Sequence, residues 1–298
     1  MKKIKIGLTN FWQGAFQDDF WNFFVHQVFS GNFSFVYDLD QADIVLSSVF
    51  GNVYSPREKT ISLIGENHRP NFFRCAYALS CDADTWDGRN FQLPYWYTRL
   101  AWPGFSFVKP SQDPLFNHGY EPPIPIESLL FRRAPLDAGH TRKFCAIIAG
   151  NPEALRTNLY LFLNGYKEVD GYGNMFSKPL KDSKFNILKN YKFSLCPENS
   201  LYPGYVTEKL FDAWIGGTLP VYHGHVLDSP MINRACLVNY YDYLDITKFV
   251  GRIVELDQNI EKFNAIYTQP PLTGIPTLQP AIDFMRAAVS KMVAPANR

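Results

Sequence analysis

The amino-acid sequence predicts an α/β protein made of two parallel-sheet domains, and three observations carry that expectation. Strand-like and helix-like segments alternate in both halves of the chain, the pattern of sheets covered by crossover helices. A stretch from 94 to 135 holds eight of the 21 prolines, including Pro122, Pro123 and Pro125. Proline lacks the amide donor that regular structure needs, so this stretch reads as loop or interdomain linker. The length, 298 residues, suits two domains at roughly 150 residues each.

The elements follow in order. Residues 3–9 alternate apolar and polar and lack the apolar centre of a secretory signal, so they read as a first strand despite the Met1-Lys2-Lys3 opening. Phe16, Phe20, Phe23, Phe24 and Val28 recur at helical spacing, which predicts an amphipathic helix over 16–29. Rings at that period point into a core rather than forming a sugar platform. Further strands are predicted at 33–37, 43–50 and 60–64. After the proline-rich stretch come a strand at 143–149 and a helix near 153–163, started by Asn151 as cap and Pro152 as first residue. Then follow strand 191–196, helix 206–215, strands 218–222 and 236–239, and a helix near 245–256. From Leu278 onward Ile282, Met285, Ala288, Val289 and Met292 share one face, predicting a closing helix. The domains are therefore expected over 1–137 and 138–270, with 271–298 as the closing segment.

Composition excludes several classes. With 46% hydrophobic and 19% charged residues the chain is not disordered. A net charge of +1 argues against a general nucleic-acid binder. No apolar run approaches the roughly 20 residues of a bilayer span. Five dispersed cysteines, with no Cys-x-x-Cys pair, favour reduced buried thiols over disulfides or a zinc site. Ten basic residues face six acidic ones between 138 and 209, and Lys178, Lys181, Lys184, Lys189 and Lys192 supply half of the ten. Such a run reads as a solvated face that also raises the local potential for an anion.

Ligands in open α/β sheets bind beyond the carboxyl ends of the strands. Three strand exits carry candidate chemistry. Gly65-Glu66-Asn67 places a carboxylate after the 60–64 strand, where it is either a general base or a solvated loop acid or helix cap. Arg156 falls in the first turn of the 153–163 helix, beside amides that favour anions. The third exit, from Cys196 to Lys209, leads into a helix whose Val206, Leu210 and Trp214 form the buried stripe, so Glu208 and Lys209 project away from it. No Walker loop, dinucleotide-binding glycine motif or metal-holding Asp-x-Asp is present there.

The segments 191–196, Glu198-Asn199-Ser200, 204–213 and 217–224 together strongly resemble the signature of the α-1,3/4-fucosyltransferases. Gly65-Glu66-Asn67, and Lys143-Phe144-Cys145-Ala146 with Arg156 downstream, add two further islands. Pro197 and His223 stand where that family more usually has an aromatic. The resemblance implies the GT-B fold, two Rossmann-like domains facing across a cleft. It implies GDP-fucose as co-substrate, no obligatory metal although a divalent cation can stimulate, and an oligosaccharide acceptor resembling N-acetyllactosamine or a lipopolysaccharide glycan. On the same ground Glu66 is the catalytic base, Arg156 and Lys209 clamp the diphosphate, and Asn199, Tyr205 and Glu208 contact the donor. Without a membrane anchor the chain looks more like a bacterial, cytoplasmic form, peripheral at most to the inner membrane. Two alternatives stay open: a same-fold transferase with another nucleotide sugar, and a non-catalytic carbohydrate-binding module.

Overall fold

Two parallel sheets organise the molecule, one in each half of the chain. The computed structural model describes residues 3–12, 15–16, 19–105 and 121–294. The first sheet has six strands, β1 (Ile4–Thr9), β2 (Phe33–Val36), β3 (Ile44–Ser47), β4 (Thr60–Leu63), β5 (Tyr77–Ser80) and β6 (Asn90–Gln92), in the order β2-β1-β3-β4-β5-β6. The second has β7 (Lys143–Ile148), β8 (Val169–Tyr172), β9 (Tyr191–Leu195), β10 (Leu219–Tyr222) and β11 (Val238–Asn239), in the order β11-β10-β9-β7-β8. All the registers among these strands are parallel. The GT-B arrangement read from the sequence is the fold found.

Helix α1 (Phe20–Phe29) starts four residues later than its apolar period suggests. Asp19 explains the shift, because its carboxylate accepts from the Asn22 amide and so caps the first turn. Phe20, Trp21 and Phe24 are buried, as core residues should be, whereas Phe16 packs from a turn with φ at 62°. In the second half α2 (Ala154–Tyr166) begins behind Glu153 rather than Asn151. The Asn151 carbonyl is instead occupied by the Glu153 amide and the Arg156 guanidinium.

Helix α3 (Lys184–Leu188) precedes β9, and α4 (Lys209–Ile215) starts three residues after the predicted 206. The reason is chemical: the Thr207 amide donates 2.8 Å to the Glu198 carboxylate, so residues up to Thr207 belong to a loop. The stripe of Val206, Leu210 and Trp214 is nevertheless buried. Helices α5 (Ile246–Gln258) and α6 (Ile260–Tyr267) cover the outer face of the second sheet, and Phe249, Ile253 and Phe263 join its core.

The last helix, α7 (Gln279–Val293), crosses back to the first sheet. Arg286 donates 2.8 Å to the carbonyls of Val28 and Gln27 at the end of α1, and Phe284 meets the rings of Tyr77 and Phe91. Ile282, Met285, Ala288 and Val289 are buried beside α1, so the chain's end ties the two halves together. Between the halves, the expected loop contains short helical turns at Tyr95–Arg99 and Ile126–Leu129, and its middle falls outside the described residues. All five cysteines are free and buried.

Candidate active site

The carboxyl ends of both sheets face one gap. From the first sheet, β4 runs out through Ile64 to Gly65 and Glu66. An added Cβ at Gly65 would meet the Tyr95 ring at 2.8 Å, so a side chain there would push that ring aside. From the second sheet, the loop between β9 and α4 reaches across. Asn67 donates to its Ser200 hydroxyl and Arg69 stacks on its Tyr202 ring, while Gln92 donates to the carbonyl of Asp228, beyond β10. Gly204 has φ at 82° and lies so close to the Cys81 carbonyl that an added Cβ would collide with that backbone oxygen. The loop is thus seated on the first half by backbone contact, which only glycine permits.

A cavity of about 520 Å³ opens at the ends of β7 and β9. Arg156, Asn199, Glu208, Lys209 and Lys184 line it, with Gly150 and Gly173 supplying bare backbone. Arg156 is buried and donates to the carbonyl of Asn151, to that of Pro197 (3.3 Å) and to Asn199 Oδ1 (2.6 Å). Burial lowers the pKa of this guanidinium, which still carries its charge at any physiological pH.

Lys209 is pinned by Glu198. That carboxylate has no exposed side-chain surface and accepts from the Thr207 amide (2.8 Å), the Thr207 hydroxyl, the Tyr222 hydroxyl (2.7 Å) and Lys209 Nζ (3.1 Å). Glu208 lies 3.8 Å from the same ammonium. Burial alone would lower the Lys209 pKa, but Glu198 and Glu208 outweigh it and hold the lysine firmly protonated. Burial likewise works to raise the Glu208 carboxyl, yet Lys209 and Lys184 prevail and pull it down to about 2. Thr207 does not cap α4; Glu208 occupies the cap position.

Glu66 behaves in the opposite way. Burial pushes its carboxyl above the ordinary carboxylate range and Glu208 adds to the rise, while Lys209 and His68 act against it. Glu66 therefore feels the same two side chains that line the cavity, from the other side of the gap. It does not itself line the cavity. Tyr205 is buried at this junction; burial, then the charges of Glu198, Glu66 and Glu208, raise its phenol and keep it protonated. The structure thus brings Arg156, Asn199, Glu208 and Lys209 to one cavity and sets Glu66 and Tyr205 at its edge.

Sequence reasoning did not single out Glu198, Tyr222, Lys184 or Asp212. Asp212 is buried between Arg99 (3.2 Å) and Lys184 (3.0 Å), a three-group ion cluster that orients Lys184 at the cavity wall. Reading 178–192 as one solvated lysine face misses this. Lys178, Lys181 and Lys189 are exposed, but Lys184 lines the cavity and Lys192 is buried against Asp257 at 3.1 Å. For Glu198 a signal existed: a lone carboxylate directly after an apolar strand has to find donors on burial. Among the described residues no group of three His, Cys, Asp or Glu is placed to hold a metal ion, and no helix is long and apolar enough to cross a membrane.

The chain is similar in sequence and in fold to known proteins. Residues 139–269 match the family model described as glycosyltransferase family 10 (fucosyltransferase), C-terminal part. The chain is 27% identical to the alpha-(1,3)-fucosyltransferase FucT of Helicobacter pylori, over 91% of this chain and 61% of that protein. It is 29% identical to human 4-galactosyl-N-acetylglucosaminide 3-alpha-L-fucosyltransferase 9, over 39% of this chain and 33% of that one. The chain therefore covers less than two thirds of the length of either relative. A crystal structure of an alpha1,3-fucosyltransferase with GDP-fucose superposes with a TM-score of 0.72 at 21% identity, covering 99% of this chain and 92% of the other. A second, with GDP, gives 0.69 at 22% identity, over 99% and 91%. At such identities these two matches speak for the fold.

Proposed function

With a family 10 glycosyltransferase match across its C-terminal half as the premise, we propose that the chain transfers L-fucose from GDP-β-L-fucose to a hydroxyl of an oligosaccharide, O3 of N-acetylglucosamine or glucose, with inversion to an α-linkage. The observation that carries this reading is one juxtaposition. A carboxylate with a raised pKa, Glu66, faces a cavity whose wall holds Arg156, Lys184 and Lys209. A volume of about 520 Å³ suits a nucleotide sugar.

In this reading residues 138–270 bind the donor and 1–137 the acceptor. Glu66 accepts the proton of the acceptor hydroxyl as that oxygen attacks the fucose anomeric carbon. The bond from that carbon to the diphosphate oxygen breaks on the opposite face, and GDP departs with the bonding pair. Negative charge grows on the diphosphate, where Arg156 and Lys209 stand ready as fixed cations. Glu208, ionised at every working pH, lies where it offsets positive charge developing on the sugar ring. Asn199 shares the Arg156 guanidinium and so holds its direction. Tyr205 seats the loop at the edge of the donor site. The enzyme would act on sugar chains of the N-acetyllactosamine or lipopolysaccharide kind in the cytoplasm or at the membrane's inner face, with no nucleic acid involved.

The test is donor discrimination by the full chain. GDP release in the presence of N-acetyllactosamine is measured with GDP-fucose, GDP-mannose and UDP-galactose, and the product linkage is read by NMR. Faster release from GDP-fucose with an α-fucoside product supports the reading. Preference for another donor contradicts it, and so does calorimetric glycan binding without any GDP release.

A further inference from the structure

A second cavity, of about 540 Å³, lies at the ends of β1, β3 and β4 in the first half. Ile64 and His68 line it, one on each side of Glu66 in the chain, so it adjoins the carboxylate that faces the donor cavity. Its chemistry differs from that of the first. Arg69, Arg74 and His68 line it together with Asn10, Asn52 and Asn71, and none of its lining residues is an aspartate or glutamate.

The two arginines are not equivalent. Arg69 is committed: it donates to Asn67, stacks on Tyr202 and lies 3.6 Å from Asp82. Even so, its Nη1 is buried without a hydrogen-bond partner. Arg74 makes no ion pair with any described residue, and its guanidinium lies over the Tyr54 ring at 4.3 Å. The Ser55 hydroxyl, also in the lining, is buried and unpartnered. Around the mouth Tyr54 and Phe73 are exposed, and beyond them Phe50 and Trp12 meet edge to face at 5.7 Å. Exposed rings at a polar cavity are the surface on which sugar rings stack.

Sugar hydroxyls both donate and accept, so a site for a purely neutral glycan gains from carboxylates that take their protons. A lining with guanidinium donors and no carboxylate fits a group that only accepts, namely a carboxylate or a phosphate. We propose that this cavity binds the acceptor, and that the acceptor carries an anionic substituent near the fucosylated sugar, held by Arg74. This rests on the transferase reading above. Arg74 is exposed to solvent, free of ion pairs among the described residues and stacked on Tyr54, so its guanidinium remains available to donate two parallel bonds to such a group.

The test uses three acceptors with one common disaccharide core: neutral, glucuronate-bearing and phosphate-bearing, each assayed with GDP-fucose at 50 and 500 mM salt. At least one anionic acceptor is expected to exceed the neutral one by tenfold or more in kcat/KM at low salt. That advantage should shrink at high salt, where the screening length falls to a few ångströms, and should collapse several-fold in Arg74→Gln. Which anionic arm responds tells carboxylate from phosphate. A neutral acceptor used as well as either charged one overturns the proposal, as does an anionic advantage untouched by Arg74→Gln. If no acceptor yields transfer and GDP-fucose fails to bind by calorimetry, the transferase reading itself falls, a result separable from loss of acceptor preference.

Discussion

Replacing Glu198 by glutamine tests how the donor site is held. In the native protein Oε1 receives the Thr207 amide and the Tyr222 hydroxyl, at 2.8 and 2.7 Å, while Oε2 receives the Thr207 hydroxyl and Lys209 Nζ, at 2.8 and 3.1 Å. Glutamine keeps one oxygen for the first pair. Its amide nitrogen must then face Lys209, donor against donor. Breaking a fully buried ion pair costs about 3–5 kcal/mol. Lys209 is 24% exposed and retains Glu208 at 3.8 Å, so part of that loss is recovered from water and from the second carboxylate. The loss of one charge-assisted bond, about 1.5–3 kcal/mol, is the better guide. For a large domain each kcal/mol moves Tm by roughly 2–4 °C, so a drop of about 3–12 °C is expected by calorimetry. Because Lys209 loses its fixed direction, the Kd for GDP-fucose should rise about tenfold in titration calorimetry, and a Tyr222→Phe variant should show a smaller change of the same sign. A Glu198→Gln protein with unchanged Tm and unchanged donor Kd would refute the idea that this carboxylate orients the lysine.

Two further outcomes follow from the same geometry. The acid limb of kcat/KM should have its midpoint above the ordinary glutamate value of about 4.3, because a base works only when deprotonated and burial raises the Glu66 pKa. Glu208, held at about 2, cannot produce a limb in that range, so a midpoint at or below 4 contradicts the assignment of Glu66. Gly204→Ala should cost about 2 kcal/mol or more, from the left-handed backbone and from collision with the Cys81 carbonyl. Its effect should appear both in Tm and in the KM for GDP-fucose, since the displaced loop carries Tyr205 and leads directly into Lys209 at the start of α4; a silent variant would show that the loop is not seated as described.

Much of this was legible in the residues because local pattern and tertiary role coincide. The strand at 143–149 carries a continuous apolar run from Phe144, which is what burial on both faces demands, and 60–64 and 191–196 set Ile61 and Leu63, and Tyr191, Phe193 and Leu195, at the two-residue period of a strand. Strands β6 and β8 escaped because Asn90-Phe91-Gln92 and Val169-Asp170-Gly171-Tyr172 carry little apolar pattern, and they, like β5, are defined by their neighbours in the sheet rather than by their own sequence. The start of α4 was misplaced for a related reason. Val206 and Leu210 keep helical spacing, but Thr207 spends its amide on Glu198, nine positions earlier, and no local rule anticipates a long-range bond. The site shows the same division. Glu66, Arg156 and Lys209 stand at strand exits and helix starts, where chain position predicts exposure to a ligand. Lys184 reads as one charge in a lysine run until Asp212 and Arg99, brought together by the fold, turn it toward the cavity.

The central claim is that Glu66 removes the acceptor's proton across the gap from a cationic donor site. Glu66→Gln addresses it most directly, with turnover and GDP-fucose affinity measured on one preparation. Turnover should fall by about 10²–10⁴-fold, the usual contribution of a general base. Donor Kd should stay within about threefold, and Tm should hold or rise, since a carboxylate whose folded pKa is raised disfavours the folded state once ionised, and the amide relieves that penalty. A variant that retains near-native turnover, or one that loses GDP-fucose binding together with activity, would contradict the account.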